Sequence, residues 1–181
     1  MRIKALYYKL VKKILPPEKY AKFIGVHIGK NNFIPDKECW SSEPYLITVG
    51  NHCQITNGVR LFTHGGGHVI RRQYPEFDTF GKIVIKDWVY IGNNALVMPG
   101  VTIGEGVLIA AGSVVTKSVP PNVVIAGNPA KIICTTEEFY DKNSYYNTNT
   151  KNCSQEQKKQ LLETMPNERF IRKQTINFLT K

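Results

Sequence analysis

The sequence predicts a parallel β-helix built from six-residue repeats, and three observations support this fold class. An unbroken aliphatic column recurs at every sixth position in the middle of the chain: Ile85, Ile91, Val97, Ile103, Ile109 and Val115. Small or β-branched residues follow four positions after each of these, and glycine recurs with the same period at Gly100, Gly106 and Gly112. Neither an α-helix nor a strand of period two gives such columns. The period indicates short strands and turns that stack as coils and bury a continuous aliphatic ladder.

The same period extends towards the N-terminus, with two interruptions. The aliphatic column continues at Ile28, Ile34, Val49, Ile55 and Leu61. Ile85 lies four steps of six after Leu61, but the three positions between them, 67, 73 and 79, lack aliphatic residues, so residues 65–80 are predicted to form a loop extruded from one coil. A loop of this length in a compact domain is usually functional or disordered. The phase also slips by three between Ile34 and Val49, so residues 35–46 are expected to form a second, less regular excursion.

Helices are predicted on both sides of this core. From Ile3 to Ile14 the apolar side chains fall within an arc of about 140° and the lysines lie outside it, which indicates an amphipathic helix that Pro16 ends. Two interpretations stay open: the helix covers an end of the β-helix, or it binds an anionic membrane surface. Ser154 and Gln157 form a candidate capping box for a later helix, and a second short helix is expected after Pro166. The predicted organisation is a basic helix over 1–22, a β-helix over 23–134 and a polar helical tail over 135–181.

Charge and composition exclude several classes of protein. The 181 residues carry a net charge of +10, of which residues 1–22 hold +6. A nucleic-acid binder would spread its basic residues over a folded face, so no nucleic-acid partner is expected. No apolar run is long enough to span a bilayer, and the N-terminus lacks the apolar core and cleavage site of a signal peptide. Four cysteines without zinc-finger spacing fit a reducing compartment. We expect a cytoplasmic protein, peripheral to the membrane if the helix binds one.

Residues 87–133, DWVYIGNNALVMPGVTIGEGVLIAAGSVVTKSVPPNVVIAGNPAKII, resemble the C-terminal coils of the hexapeptide-repeat acyltransferases. The likeness extends over residues 47–134 and is strongest to sugar O-acetyltransferases of the maltose, galactoside and exopolysaccharide type. It implies a left-handed β-helix and a homotrimer with active sites in the grooves between subunits. It also implies acetyl-CoA as co-substrate, lying beside the last coils. Handedness and trimerisation follow from the resemblance alone.

The resemblance implies a catalytic histidine at the start of the extruded loop. The matching residue is His64, in the segment LFTH at 61–64. An imidazole can accept the proton of a sugar hydroxyl near neutral pH, and no Ser or Cys nucleophile motif is present, so direct transfer in a ternary complex is expected. His68, after three glycines, is the competing base. Close relatives carry an acidic residue where this chain has Gly65, so Asp78 or a backbone carbonyl is the expected partner that orients the imidazole.

Cofactor and substrate residues are assigned by the same resemblance. The backbone amides that would meet the pantetheine arm are those of Ala111, Gly112 and Ser113. The residues that would lie near the nucleotide phosphates are Thr116, Lys117 and Lys131, and cations at the mouth of a groove suit a phosphate-rich ligand. The acceptor is expected to contact Tyr90, Arg71 and His68. No metal is expected.

The leading hypothesis is therefore an acetyl-CoA-dependent O-acetyltransferase that acts on a sugar or glycan hydroxyl. An amino-sugar N-acetyltransferase is the nearest alternative, since an amine would use the same base and co-substrate. A zinc hydratase on the same fold would need three His ligands, and the sequence has no histidine after His68. A catalytically silent scaffold is the remaining class, and it predicts that His64→Ala changes no activity.

Overall fold

The computed structural model describes residues 2–175, and for residues 2–5 it describes the backbone alone. The side chain of Ile3, at the start of the predicted apolar arc, and residues 176–181 of the predicted tail therefore lie outside the described residues. The chain divides into two compact units, Met1–Thr136 and Glu137–Lys181. Within the described part of the chain, no helix is both long and apolar enough to cross a bilayer.

The first unit is a stack of coils whose short strands form three sheets among the described residues. The first sheet contains β1 (His27–Ile28), β2 (Ile47–Val49), β5 (Ile83–Ile85) and β8 (Thr102–Ile103). The second contains β3 (Gln54–Ile55), β6 (Tyr90–Ile91), β9 (Leu108–Ile109), β11 (Val123–Gly127) and β12 (Ala130–Thr135). The third contains β4 (Arg60–Leu61), β7 (Leu96–Val97) and β10 (Val114–Val115). Neighbouring strands pair in parallel except β11 and β12, which are antiparallel.

The strand register confirms the predicted six-residue period. Ile85 pairs with Ile103, 18 positions later, so one coil holds three repeats, one for each sheet. The second and third sheets keep the same spacing, because Ile91 pairs with Ile109 and Val115 with Val97. The side chains of this column are fully buried or nearly so. Each contributes about 1.5–3 kcal/mol of hydrophobic stabilisation, and the stack of coils is therefore the core of the unit.

Both irregular segments leave the β-helix at the same corner, between the third sheet and the first. In the first coil His27 pairs with Thr48, 21 positions later, so this coil holds three extra residues. They lie between Cys39, whose carbonyl accepts from the Leu61 amide, and β2, in the stretch that contains the 3₁₀ helix Pro44–Leu46. In the next coil Val49 pairs with Ile85, 36 positions later, and the 18 extra residues form the extruded loop with the short helix α3 (Gly67–Ile70). The two excursions are thus stacked in neighbouring coils.

Two helices precede the β-helix. Helix α1 (Arg2–Ile14) ends before Pro16, and α2 (Pro17–Phe23) begins with Pro17 at its first position, where a missing N–H costs little. Ala21 of α2 is fully buried in the same cluster as the aliphatic column. The helix that covers the first coil is therefore α2, whereas much of the apolar face of α1 is exposed.

The second unit is helical. It contains α4 (Thr136–Ser144), whose first residue belongs to the first unit, α5 (Gln155–Thr164) and the 3₁₀ helix Asn167–Arg169 after Pro166. The predicted capping box is present at the start of α5. The Ser154 hydroxyl accepts a hydrogen bond from the Gln157 amide at 3.2 Å, and the Gln157 side chain accepts one from the Ser154 amide at 2.9 Å.

Candidate active site

His64 lies at the base of the extruded loop, three residues after β4 ends its coil. The loop is closed by an antiparallel bridge between His64 and Phe80, and the Gly81 amide donates to the Thr63 carbonyl at 2.7 Å. The rings of His64 and Phe80 lie 5.8 Å apart. These contacts hold the imidazole on the rigid β-helix, while 41% of its side chain is exposed.

Glu43 is the partner of this imidazole. Its Oε2 lies 2.7 Å from Nδ1 of His64, and only 16% of the Glu43 side chain is exposed. Glu43 comes from the small excursion in the first coil, immediately before Pro44. The contact exists because the two excursions are stacked at one corner of the β-helix.

A buried hydrogen-bond chain holds the Glu43 carboxylate in place. Thr63 is fully buried, and its hydroxyl donates to Oε2 of Glu43 at 2.6 Å. The Ser41 hydroxyl lies 2.8 Å from Oγ1 of Thr63 and accepts from the Thr63 amide at 3.3 Å. Since the Thr63 proton is directed to the carboxylate, the Ser41 hydroxyl donates to Thr63. The buried Thr63 hydroxyl thereby both donates and accepts a hydrogen bond, as a buried polar group requires.

These contacts determine the protonation of the pair. The hydrogen bond from Thr63 lowers the pKa of the Glu43 carboxyl below its ordinary value, and the contact with His64 lowers it further. An ionised carboxylate only accepts hydrogen bonds, so Nδ1 of His64 carries the proton. In the neutral imidazole the lone pair is then on Nε2, the nitrogen that is not engaged by Glu43. This is the tautomer that a general base needs.

A cleft of about 300 Å³ opens beside the imidazole. Its walls come from the base and the inner side of the extruded loop, and they include His68, Arg71 and Asp78. The structure therefore brings two of the three predicted acceptor contacts, His68 and Arg71, into one cleft with His64. Tyr90, the third, is 38% exposed on β6 and does not line this cleft.

Asp78 does not orient His64, so this expectation is wrong. Its Oδ1 pairs instead with Nη2 of Arg71 at 3.2 Å, and the Arg71 Nε donates to the Phe77 carbonyl at 2.9 Å. Arg71 thus connects the segment after α3 to residues 77–78 of the extruded loop. Its charge is partly neutralised by Asp78.

The three residues predicted to contact the pantetheine arm differ in their exposure and in whether their backbone amides already make hydrogen bonds. Ala111 and Gly112 are exposed, but Ser113 is fully buried and its hydroxyl donates to the Ala110 carbonyl at 2.7 Å. The amide of Gly112 donates to the Asn93 carbonyl at 2.8 Å, and that of Ser113 to the Ala110 carbonyl at 3.3 Å. Two of the three amides assigned to the cofactor are therefore used within the coil turns.

The predicted phosphate contacts are all exposed. Thr116 and Lys117 directly follow β10, and Lys131 lies on β12. Neither lysine takes part in the ion pairs found between described side chains. None of the six predicted cofactor residues lines the cleft at His64. Among the described residues there is also no group of three or more His, Cys, Asp or Glu side chains that could hold a metal ion.

Comparison with known proteins identifies the family. The bacterial transferase hexapeptide family (six repeats) matches residues 82–117. Protein CapG of Staphylococcus aureus is 44% identical over 143 residues, which cover 77% of this chain and 83% of that protein. Galactoside O-acetyltransferase of Escherichia coli K12 is 36% identical over 132 residues, which cover 72% of this chain and 63% of the relative.

Two solved structures share the fold at somewhat lower identity. The hexapeptide-repeat acetyltransferase VCA0836 of Vibrio cholerae matches with a TM-score of 0.60 at 25% identity, over 74% of this chain and 89% of that one. A galactoside acetyltransferase in complex with coenzyme A matches with a TM-score of 0.55 at 26% identity, over 77% of this chain and 82% of that one. The chain belongs to the hexapeptide-repeat transferase family, and within it to the acetyltransferases.

Proposed function

We propose that the protein transfers the acetyl group of acetyl-CoA to a hydroxyl group of a sugar or glycan, with His64 as the general base. The observation that carries the proposal is the contact between Glu43 and Nδ1 of His64 at 2.7 Å. In the neutral imidazole this contact leaves the lone pair on Nε2, on a ring that lines the cleft. The galactoside O-acetyltransferase among the relatives supports a sugar as acceptor, and two related solved structures, one with coenzyme A and one with acetyl-CoA, support the donor.

In this mechanism His64 accepts the acceptor's hydroxyl proton at Nε2 while the hydroxyl oxygen attacks the thioester carbon. The positive charge that forms on the imidazole is stabilised by the Glu43 carboxylate, which is already ionised and held by Thr63. The protonated Nε2 can then return its proton to the departing thiolate. Such general base catalysis contributes about 10²–10⁴-fold. A side-chain nucleophile is not needed, so transfer is direct in a ternary complex.

The donor would lie along the last coils, with Lys117 and Lys131 near its phosphates. Both cations are exposed and take no part in an ion pair with another described side chain, which suits such a ligand. In one chain these lysines do not line the cleft at His64. This separation supports an active site completed between copies, in a homotrimer of left-handed β-helices like the one that the family resemblance implies. We place this enzyme in the cytoplasm and in the biosynthesis of a polysaccharide.

The test is a thermal-shift titration with CoA and acetyl-CoA, followed by thiol release with a panel of sugars. We expect both ligands to raise the Tm, and Lys117→Ala with Lys131→Ala to weaken this effect. Lys158→Ala, which removes an exposed lysine of α5, is the matched control. Acetylation confined to sugars with a free amine would instead establish the N-acetyltransferase alternative. Absence of any CoA effect on the Tm would contradict the proposal.

A further inference from the structure

Helix α1 carries an exposed apolar face. Leu6, Leu10 and Ile14 are 69%, 55% and 68% exposed, and Tyr7 is 53% exposed. Tyr7, Leu10 and Ile14, together with Phe23 at the end of α2, line a trough of about 300 Å³ whose lining is almost entirely apolar. A contiguous exposed apolar face marks a site of interaction.

The side of α1 that carries Lys12 faces the rest of the unit, because Lys12 pairs with Glu38 in the first coil. Val11 and Leu15 lie beside the apolar face, line the same trough and are half-buried. The Nζ of Lys37 donates to the Lys12 carbonyl at 2.6 Å. These contacts orient the helix with its apolar face towards solvent.

Basic residues accompany this face. Lys9 and Lys13 are exposed and lie on the flank of the apolar stripe, because successive residues turn by 100° around a helix. The sequence of α1, RIKALYYKLVKKI, contains no acidic residue. Tyr7 and Tyr8 pack against Phe23 with ring centroids 6.0 and 5.4 Å apart. Aliphatic and aromatic residues beside lysines are typical of helices that lie in a membrane interface.

We propose that α1 docks with this face on the surface of an anionic lipid bilayer. Charge complementarity favours anionic lipid, because Lys9 and Lys13 would attract negatively charged headgroups. Two copies of the chain that met through this face would instead bring their lysines together, and like charges repel. A single amphipathic helix gives reversible attachment. The inference is independent of the acetyl transfer, because none of these residues belongs to the site at His64.

The test is co-sedimentation of the full chain with vesicles of phosphatidylcholine alone and of phosphatidylcholine with an equal part of phosphatidylglycerol. We expect binding to the anionic vesicles that falls about 30-fold in Lys9→Gln/Lys13→Gln, since each basic residue near the surface contributes about five-fold. The matched control, Lys151→Gln/Lys158→Gln, removes two exposed lysines of the second unit and should leave binding unchanged.

Leu10→Glu places a charge in the middle of the apolar face and should abolish vesicle binding, while the oligomeric state and the CoA-induced rise in Tm are kept. Equal binding to both kinds of vesicle, or to neither, would overturn the proposal. It would also be overturned if Leu10→Glu dissociated an oligomer in analytical ultracentrifugation, because the face would then be a contact between copies.

Discussion

The contact between Glu43 and His64 makes a quantitative prediction for Glu43→Gln. The substitution keeps an oxygen that can accept from Nδ1 and from Thr63, but it removes the negative charge. A hydrogen bond to a charged group contributes about 1.5–3 kcal/mol, against about 0.5–1.5 kcal/mol for a neutral one. The two ranges differ by about 1 kcal/mol at their lower ends and about 1.5 kcal/mol at their upper ends. The imidazole is 41% exposed, so solvent screens the interaction and the lower figure, about 1 kcal/mol, applies. We expect kcat/KM to fall about five-fold, since about 1.4 kcal/mol is a factor of ten.

The assay is thiol release at saturating acetyl-CoA, with the acceptor concentration varied. The effect should fall on kcat, because Glu43 stabilises the imidazolium that forms in the transition state. Asp78→Asn is the matched control: it removes a carboxylate from the same cleft that contacts Arg71 rather than His64. Its kcat should stay close to that of the unmodified chain. If Asp78→Asn lowered kcat as much as Glu43→Gln, the specific role of Glu43 would be refuted.

Further predictions concern stability and the choice of base. Thr63→Val removes a buried donor and should lower the free energy of unfolding in urea by about 1–2 kcal/mol; an unchanged value would contradict the hydrogen-bond chain. Because the folded-state pKa of Glu43 is lowered, its stabilisation should be full above the ordinary value of 4.5 and lost as the pH falls through the lower folded value. The difference in unfolding free energy between the unmodified chain and Glu43→Gln should therefore shrink in acid, and a constant difference would refute this. Ile91→Ala should cost about 2–5 kcal/mol in urea unfolding, whereas Thr102→Ala on the exposed side should cost far less; similar losses would contradict the inward ladder. His68→Ala should keep the pH profile of kcat/KM, and loss of its acid limb would make His68 the base.

The β-helix could be predicted because its evidence is repetitive. Each coil places an aliphatic residue at the same inward position, so the pattern in residues 85–115 reports the packing directly. The same pattern also bears on one residue of the predicted cofactor site. Ser113 stands in the second inward column with Val107 and Val119, and its burial was therefore predictable. The resemblance assigned it a cofactor contact in spite of this position.

Glu43 was missed because its role depends on how two irregular segments stack. The three-residue slip was visible in the sequence, and 21 positions before His64 is Glu43. That offset applies only if both excursions leave the β-helix at the same corner, which the register of β2 and β5 established. The expected partner of the imidazole was Asp78 or a backbone carbonyl, because Gly65 stands where close relatives carry an acidic residue. The loop instead pairs Asp78 with Arg71, since both face each other across its base.

The central claim is that His64 is the base of an acetyl transfer from acetyl-CoA. The most direct measurement compares kcat/KM for a sugar acceptor in the unmodified chain and in His64→Ala, with the Kd of acetyl-CoA determined by calorimetry for both. We predict a fall of about 10²–10⁴-fold in kcat/KM, with the Kd and the Tm unchanged. Activity in His64→Ala close to that of the unmodified chain would contradict the claim.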